Sequence, residues 1–168
     1  MLLTLIPSIT SIIAVFVSFF LGKHMNQSTE KNKKLEERYN NFYIPLFSKL
    51  SRISLRDFEE VLQFHGVSFT SFLLDNMQYM STDSVKYLPH LYEFTSKHVI
   101  YESWYLSNIG SELDATQKSD QEQFFNDITS INLVFFDFVT ICSSEADKIA
   151  KSLHLEPITK ELISRTQD

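Results

Sequence analysis

The sequence predicts an all-α protein, an N-terminal transmembrane helix followed by a cytosolic antiparallel helical bundle of about four helices. Three observations carry this expectation. Residues Leu2 to Leu21 contain no charged side chain, and ~20 apolar residues suffice to cross a ~30 Å hydrocarbon core as a helix. The rest of the chain repeats its apolar residues at spacings of three and four, the period of a helix face. Only 3 Gly and 4 Pro occur in 168 residues, too few for the turns of a many-stranded sheet. With 15 Phe, 7 Tyr and 43% hydrophobic residues, the chain can bury a core rather than remain disordered.

Residues 1–22 are read as the anchor. A cleaved leader would begin with a basic stretch and end at a small-x-small site. Here no Lys or Arg precedes the apolar run, and Val17-Ser18-Phe19-Phe20-Leu21 offers no such site. The helix is therefore expected to be retained. Thr10, Ala14, Ser18 and Gly22 recur every four residues. Such a small-residue face lets two membrane helices approach closely, so it is the candidate homodimer contact.

Residues 23–34 form a basic collar. Lys23, Lys31, Lys33, Lys34 and Arg38 all follow the span, and the positive-inside rule then puts the C-terminal side in the cytoplasm and the N-terminus outside. The same five residues are the expected contact with anionic lipid at the plasma membrane. From Lys23 to Arg56 the net charge is +5, and from Asp57 to Asp168 it is −11. An acidic body of this size repels phosphate, which argues against nucleic acid as the partner.

Residues 35–168 are expected to be the cytosolic domain. Leu35, Tyr39, Phe42, Leu46, Leu50 and Ile53 share one helical stripe, widened by Tyr43 and Phe47, with Ser28 or Thr29 as its cap and Pro45 as a kink or restart. Arg38, Lys49, Arg52 and Arg56 fall largely off this stripe. A second helix is expected to start at Ser54 and run through Phe58, Val61, Leu62 and Phe64 to Gly66. Phe69, Phe72, Leu73, Leu74, Met77 and Met80 mark the next segment, and Ser81-Thr82-Asp83-Ser84 a cap cluster. A helix over Val85 to Ile109 follows, stopped by Gly110, with Ser111 to Ser119 as a polar connection. Phe124, Ile128, Ile131, Phe135, Phe138 and Cys142, continued by Ile149 and Leu153, form a heptad-like seam. Asn132 and Asp137 interrupt that run too early for a second span. Pro157 suits the first position of a terminal helix.

No set of catalytic residues, cofactor-binding motif or metal ligands assembles from these residues. The single cysteine, Cys142, excludes an internal disulfide and any cysteine-based zinc site within one chain, and its apolar setting marks a buried thiol. Glu-x-x-His pairs, HExxH, glycine-rich phosphate loops and nucleophile elbows are absent. His90 and Glu93, with His98 and Glu102 one turn on, are read as a solvated helix face rather than an acid–base or metal site. Asp137 falls beside Ser130, Thr140 and Ser144, away from the seam, and is expected to be exposed. Trp104, Tyr101 and Tyr105 are expected in the core. Asp75, Asn76, Gln78 and Tyr79 form a polar cluster in an apolar stretch, and are the candidate recognition surface.

The stretches Glu37-Arg38-Tyr39-Asn40-Asn41-Phe42-Tyr43-Ile44-Pro45-Leu46 and Leu74-Asp75-Asn76-Met77-Gln78-Tyr79-Met80, behind a short anchor, resemble small single-span proteins of Gram-positive bacteria and their phages. The resemblance covers about the first half of the chain and carries no catalytic residue. It implies a setting of superinfection exclusion or phage defence.

The functional expectation is a membrane-tethered α-helical interaction module with a protein partner at the cytoplasmic face and no cofactor. Tethering raises the effective concentration for partners near the bilayer. A phage-exclusion component is the alternative. A small metal-dependent helical enzyme built around His90 is the third reading.

Overall fold

The computed structural model describes residues 23, 26–51, 53–107 and 115–158 of the chain, and every regular element among them is helical. The apolar run with its face of Thr10, Ala14, Ser18 and Gly22 lies outside the described residues, as do Arg52, Gly110 and the helix expected after Pro157.

Helix α1, residues 26–38, already includes Ser28 and Thr29, so neither is the cap expected of it. It runs without a break into a π turn, Tyr39–Tyr43, and then α2, Ile44–Leu50. The Ile44 N–H reaches the Tyr39 carbonyl, five residues back. Pro45 explains the wide turn. In a regular helix its ring would press on the Asn41 carbonyl and deny it a donor. Adding one residue to the turn relieves both problems while the helix continues. Of the stripe read from the sequence, Tyr39, Phe42, Tyr43, Leu46, Phe47 and Leu50 are buried, and Leu35 and Ile53, at its two ends, are partly buried.

Helix α3, Phe58–His65, starts three residues later than expected. Its cap is Asp57, which accepts the Glu60 N–H at 3.1 Å, while Glu60 reaches back to the Ser54 N–H at 3.0 Å. A second orphan donor, the Phe58 N–H, is taken at 2.9 Å by Asn132 of a distant helix. Gly66, at φ 58°, ψ −157°, ends α3 and opens α4, Val67–Asp75. A side chain would be strained in that backbone conformation. A 3-10 turn, Met77–Tyr79, follows.

The helix expected from Val85 is divided. Ser81 and Ser84 build a capping box on the short α5, Thr82–Val85, and α6 then runs Leu88–Ser107 with Pro89 in its first turn. Helix α7, Ala115–Ser152, absorbs the last part of the expected polar connection. At 38 residues it is ~57 Å long, and it is the spine of the bundle. It packs against α3, α5, α6 and the π turn. The partners on α7 descend as the numbering rises from Tyr87, just ahead of α6, into that helix: Tyr87–Phe138, then Lys97–Asp127, then Tyr101–Phe124, so α6 and α7 are antiparallel.

The seam of α7 is the core. Phe124, Ile131, Phe135, Phe138, Cys142 and Ile149 are buried. Phe58 of α3 stands 5.0 Å from Phe135, with Phe69 of α4 and Phe94 of α6 completing an aromatic cluster. Edge-on and offset ring pairs at these distances add to the burial term. Residues Glu122–Ser152 are long and apolar enough to cross a bilayer by length and composition alone, and 22% of their most apolar window is buried. The seam on one face packs on protein, and Asn132 is bonded to α3. Asp137 is exposed, as its place on the wheel requires.

Candidate functional site

Helix α1 projects from the bundle. Residues 26–34 are exposed, including Lys31, Lys33 and Lys34, and Lys23 is exposed ahead of them. A helix polar on all sides gains little from packing. Arg38 departs from the expected collar. It lies where α1 meets the body, is half-buried, and its Nε donates to the Tyr79 carbonyl at 2.8 Å, with a second nitrogen 3.4 Å from the Tyr43 hydroxyl. Lys49 lies over the Phe72 ring and Arg56 over Phe136. These cations are used within the fold.

The expected recognition cluster is likewise divided. Asp75 and Gln78 are exposed. Asn76 instead closes the end of α4, its Nδ2 donating to the Phe72 carbonyl at 2.9 Å. Tyr79 is half-buried between Arg38 and Asn41, whose Nδ2 donates to its hydroxyl at 3.3 Å. Tyr79 therefore ties α1 to the 3-10 turn after α4, while Asn76 is used within α4 itself.

A polar node that the sequence reading passed over sits where the π turn, α5 and α7 meet. Glu145 of α7 accepts from the Tyr43 hydroxyl at 2.6 Å and from Ser81, and the buried Ser84 hydroxyl is 3.5 Å away. Burial, then the bond to Glu145, raises the Tyr43 pKa well above that of a free phenol. Burial also pushes the Cys142 thiol up, with the Glu145 charge second. An inert, protonated thiol is the result. A signal for this node was present, since Glu145 continues the four-three spacing of the seam between Cys142 and Ile149.

The second constellation is a cleft bounded by α3, α6 and α7. His98, expected on a solvated face, is buried at 5% exposure. It extends the core stripe Leu88, Leu91, Phe94 by one turn and packs between Phe94 and Phe124. Its Nε2 faces Glu59 at 4.0 Å and its Nδ1 faces Glu102 at 3.7 Å. His90, Glu93 and Glu102 are exposed, as expected of that face. Glu59 and Glu102 approach opposite edges of the ring, so they do not converge on one ion. Among the described residues no group of three or more His, Cys, Asp or Glu is placed to hold a metal.

Two adjoining hollows, of about 390 and 290 Å³, share Tyr101 and Phe124, stacked at 3.9 Å, as their common wall. The placement of Tyr101 against Phe124 agrees with its expected core role, while the side chains of Trp104 and Tyr105 lie outside the described residues. Comparison of the chain with family models, curated proteins and solved structures finds no match.

Proposed function

We propose that the chain is a membrane-tethered α-helical interaction module, held at the cytoplasmic face by its N-terminal apolar segment. The observation that carries this reading is the exposed polar stretch 26–34 of α1, which runs continuously into a packed body. A stalk of ~14 Å, at 1.5 Å per residue, would hold the body clear of whatever surface bounds the apolar segment. The lysines at its outer end suit anionic headgroups, and the acidic body suits the space beyond them. Binding rather than catalysis is the activity favoured by the site: its aromatic rings pack on one another and its carboxylates do not converge.

The test uses the full chain in a bacterial host with a C-terminal reporter. Green fluorescence with an inactive alkaline phosphatase fusion, both in the membrane fraction, is expected. An active phosphatase would reverse the orientation, and a soluble fusion would remove the tether. Proximity labelling from the C-terminus should enrich a discrete partner set, and enrichment no greater than that of an unrelated tethered domain would overturn the interaction reading.

A further inference from the structure

We propose that the outward face of α7 is an interface between two copies of this chain, paired side by side and parallel as a short coiled coil. The pairing goes beyond the interaction-module reading and needs neither the tether nor the apolar segment.

Helix α7 carries two seams. One is the buried seam already described. The other lies on the opposite side, where Asn126, Thr129, Leu133, Phe136 and Thr140 recur at steps of three and four, and all five are exposed. Leu133 is 68% exposed and Phe136 40%, and Phe125, beside the seam, is 56% exposed. From Phe125 to Ser144 the exposed residues of α7 include a single charge, Asp137. A solvated helix face ordinarily bears charges along its length, whereas an uncharged repeat of this spacing is the pattern that a second helix covers.

The residues of this seam select a second copy as its occupant. In a parallel two-fold pair each layer meets itself. An Asn side chain both donates and accepts, so an Asn126 layer satisfies itself, and one such layer fixes the register of a two-stranded coil. Thr129 and Thr140 pair in the same way, while Leu133 and Phe136 pack on their counterparts. Charge sets the direction. Asn132 accepts the Phe58 N–H, which brings the start of α3 to one flank of the seam, and Arg56 lies over the Phe136 ring there at 5.6 Å. Asp137 occupies the other flank, ~100° further round the helix. Among the described residues neither Arg56 nor Asp137 has an ion pair within its own chain. Parallel pairing brings opposite flanks together, so Asp137 of each copy meets Arg56 of the other. Antiparallel pairing brings like flanks together and opposes the two Asp137 carboxylates near the centre. It would set Glu122 against Lys151 in exchange, but at the solvated ends, where ion pairs contribute least.

The experiment oxidises full-length single-substitution variants with copper phenanthroline in membranes of a bacterial host and measures disulfide-linked dimer. The unsubstituted chain, with its buried Cys142, gives the background, and S96C, exposed on α6, gives the rate of chance collision. T129C and T140C should each link to themselves at least fivefold above S96C, and a mixture of the two should form no T129C–T140C dimer above that level. A mixed dimer that exceeds both self-dimers would make the pair antiparallel and overturn the proposal, as would self-dimers no greater than S96C. In the T129C background, D137R and R56E should each lower the yield at least threefold, and R56E/D137R together should restore it. No recovery in the combined variant would overturn the charge pairing. Linkage of T129C to S11C within one chain, or to a different protein, in place of the dimer would give the face to another occupant. If the reporter fusion proves soluble, the tether fails, and the same cross-links in the soluble fraction still decide the interface.

Discussion

The Tyr43 hydroxyl donates to Glu145 Oε2 at 2.6 Å, binding the turn that ends the N-terminal stalk to the spine of the bundle. Tyr43 is fully buried and the acceptor is a carboxylate shared with two serines. Tyr43→Phe should cost about 1.5–3 kcal/mol, the range for a hydrogen bond to a charged group. Glu145→Ala should cost more, because it takes the acceptor from both the Tyr43 and Ser81 hydroxyls, while Ser84 keeps the Ser81 carbonyl. Urea midpoints of the two single variants and the double variant measure the coupling, and a double equal to the sum of the singles would show that the bond contributes nothing specific.

The same node fixes an alkaline limit. Burial, with the Glu145 bond second, raises the Tyr43 phenol above its ordinary 10.0, and burial raises the Cys142 thiol well above 9.0. Both groups hold their protons more tightly folded than unfolded. Their contribution is therefore complete below pH 9 and is lost progressively above it, first for the thiol and then for the phenol. Unfolding midpoints should be flat from these groups between pH 7 and 9 and fall toward pH 11. The fall should be shallower in the Tyr43→Phe and Cys142→Ala variants.

Cys142 should be chemically silent in the native protein. Iodoacetamide at pH 8 is expected to leave it unmodified for hours and to label it fully in denaturant, since a buried protonated thiol is neither exposed nor nucleophilic. Rapid native labelling would mean that α7 opens locally at the node.

Two residues far apart in sequence start α3. Asp57→Ala removes its cap and should cost about 1 kcal/mol. Asn132→Leu leaves the Phe58 N–H without its acceptor and should cost about 1–3 kcal/mol. Thermal denaturation checks both. A neutral Asn132→Leu would show that water replaces the side chain.

On the proposed tether, Lys31→Gln, Lys33→Gln and Lys34→Gln together should mix the orientation of the chain, read as rising phosphatase activity of the C-terminal fusion. Each lysine near an anionic leaflet contributes about 1 kcal/mol. Arg38→Gln should leave orientation alone and lower stability instead, because its guanidinium is engaged with Tyr79.

Helix positions were legible wherever apolar spacing was strong. The seam through Phe124, Phe135 and Cys142 and the stripe through Tyr39 and Leu50 are buried as read. Polar residues on those faces were harder. His98 and Glu145 carry the period of their helices, but a titratable side chain at a core position reads as an interruption until its partners are known. Those partners, Glu59 for one and Tyr43 with Ser81 for the other, are 39 to 102 residues away. Arg38 is a related case, since its charge was legible while the Tyr79 carbonyl that takes its Nε–H is presented by a turn. Helix starts slipped by up to three residues because Ser54 and Asp57 both suit a cap, and Glu60 satisfies both.

The uninterrupted path from residue 26 through the π turn into Leu50 makes the stalk a rotary gauge. Each residue added to or removed from α1 turns everything beyond it by ~100° and shifts it by 1.5 Å. A single insertion before Leu35 would leave the core intact while swinging the bundle nearly a third of a revolution about its support. Four insertions would restore the heading to within ~40°, at the cost of one extra turn of reach. On the proposed tether, the phase of this helix would set the direction in which the body faces.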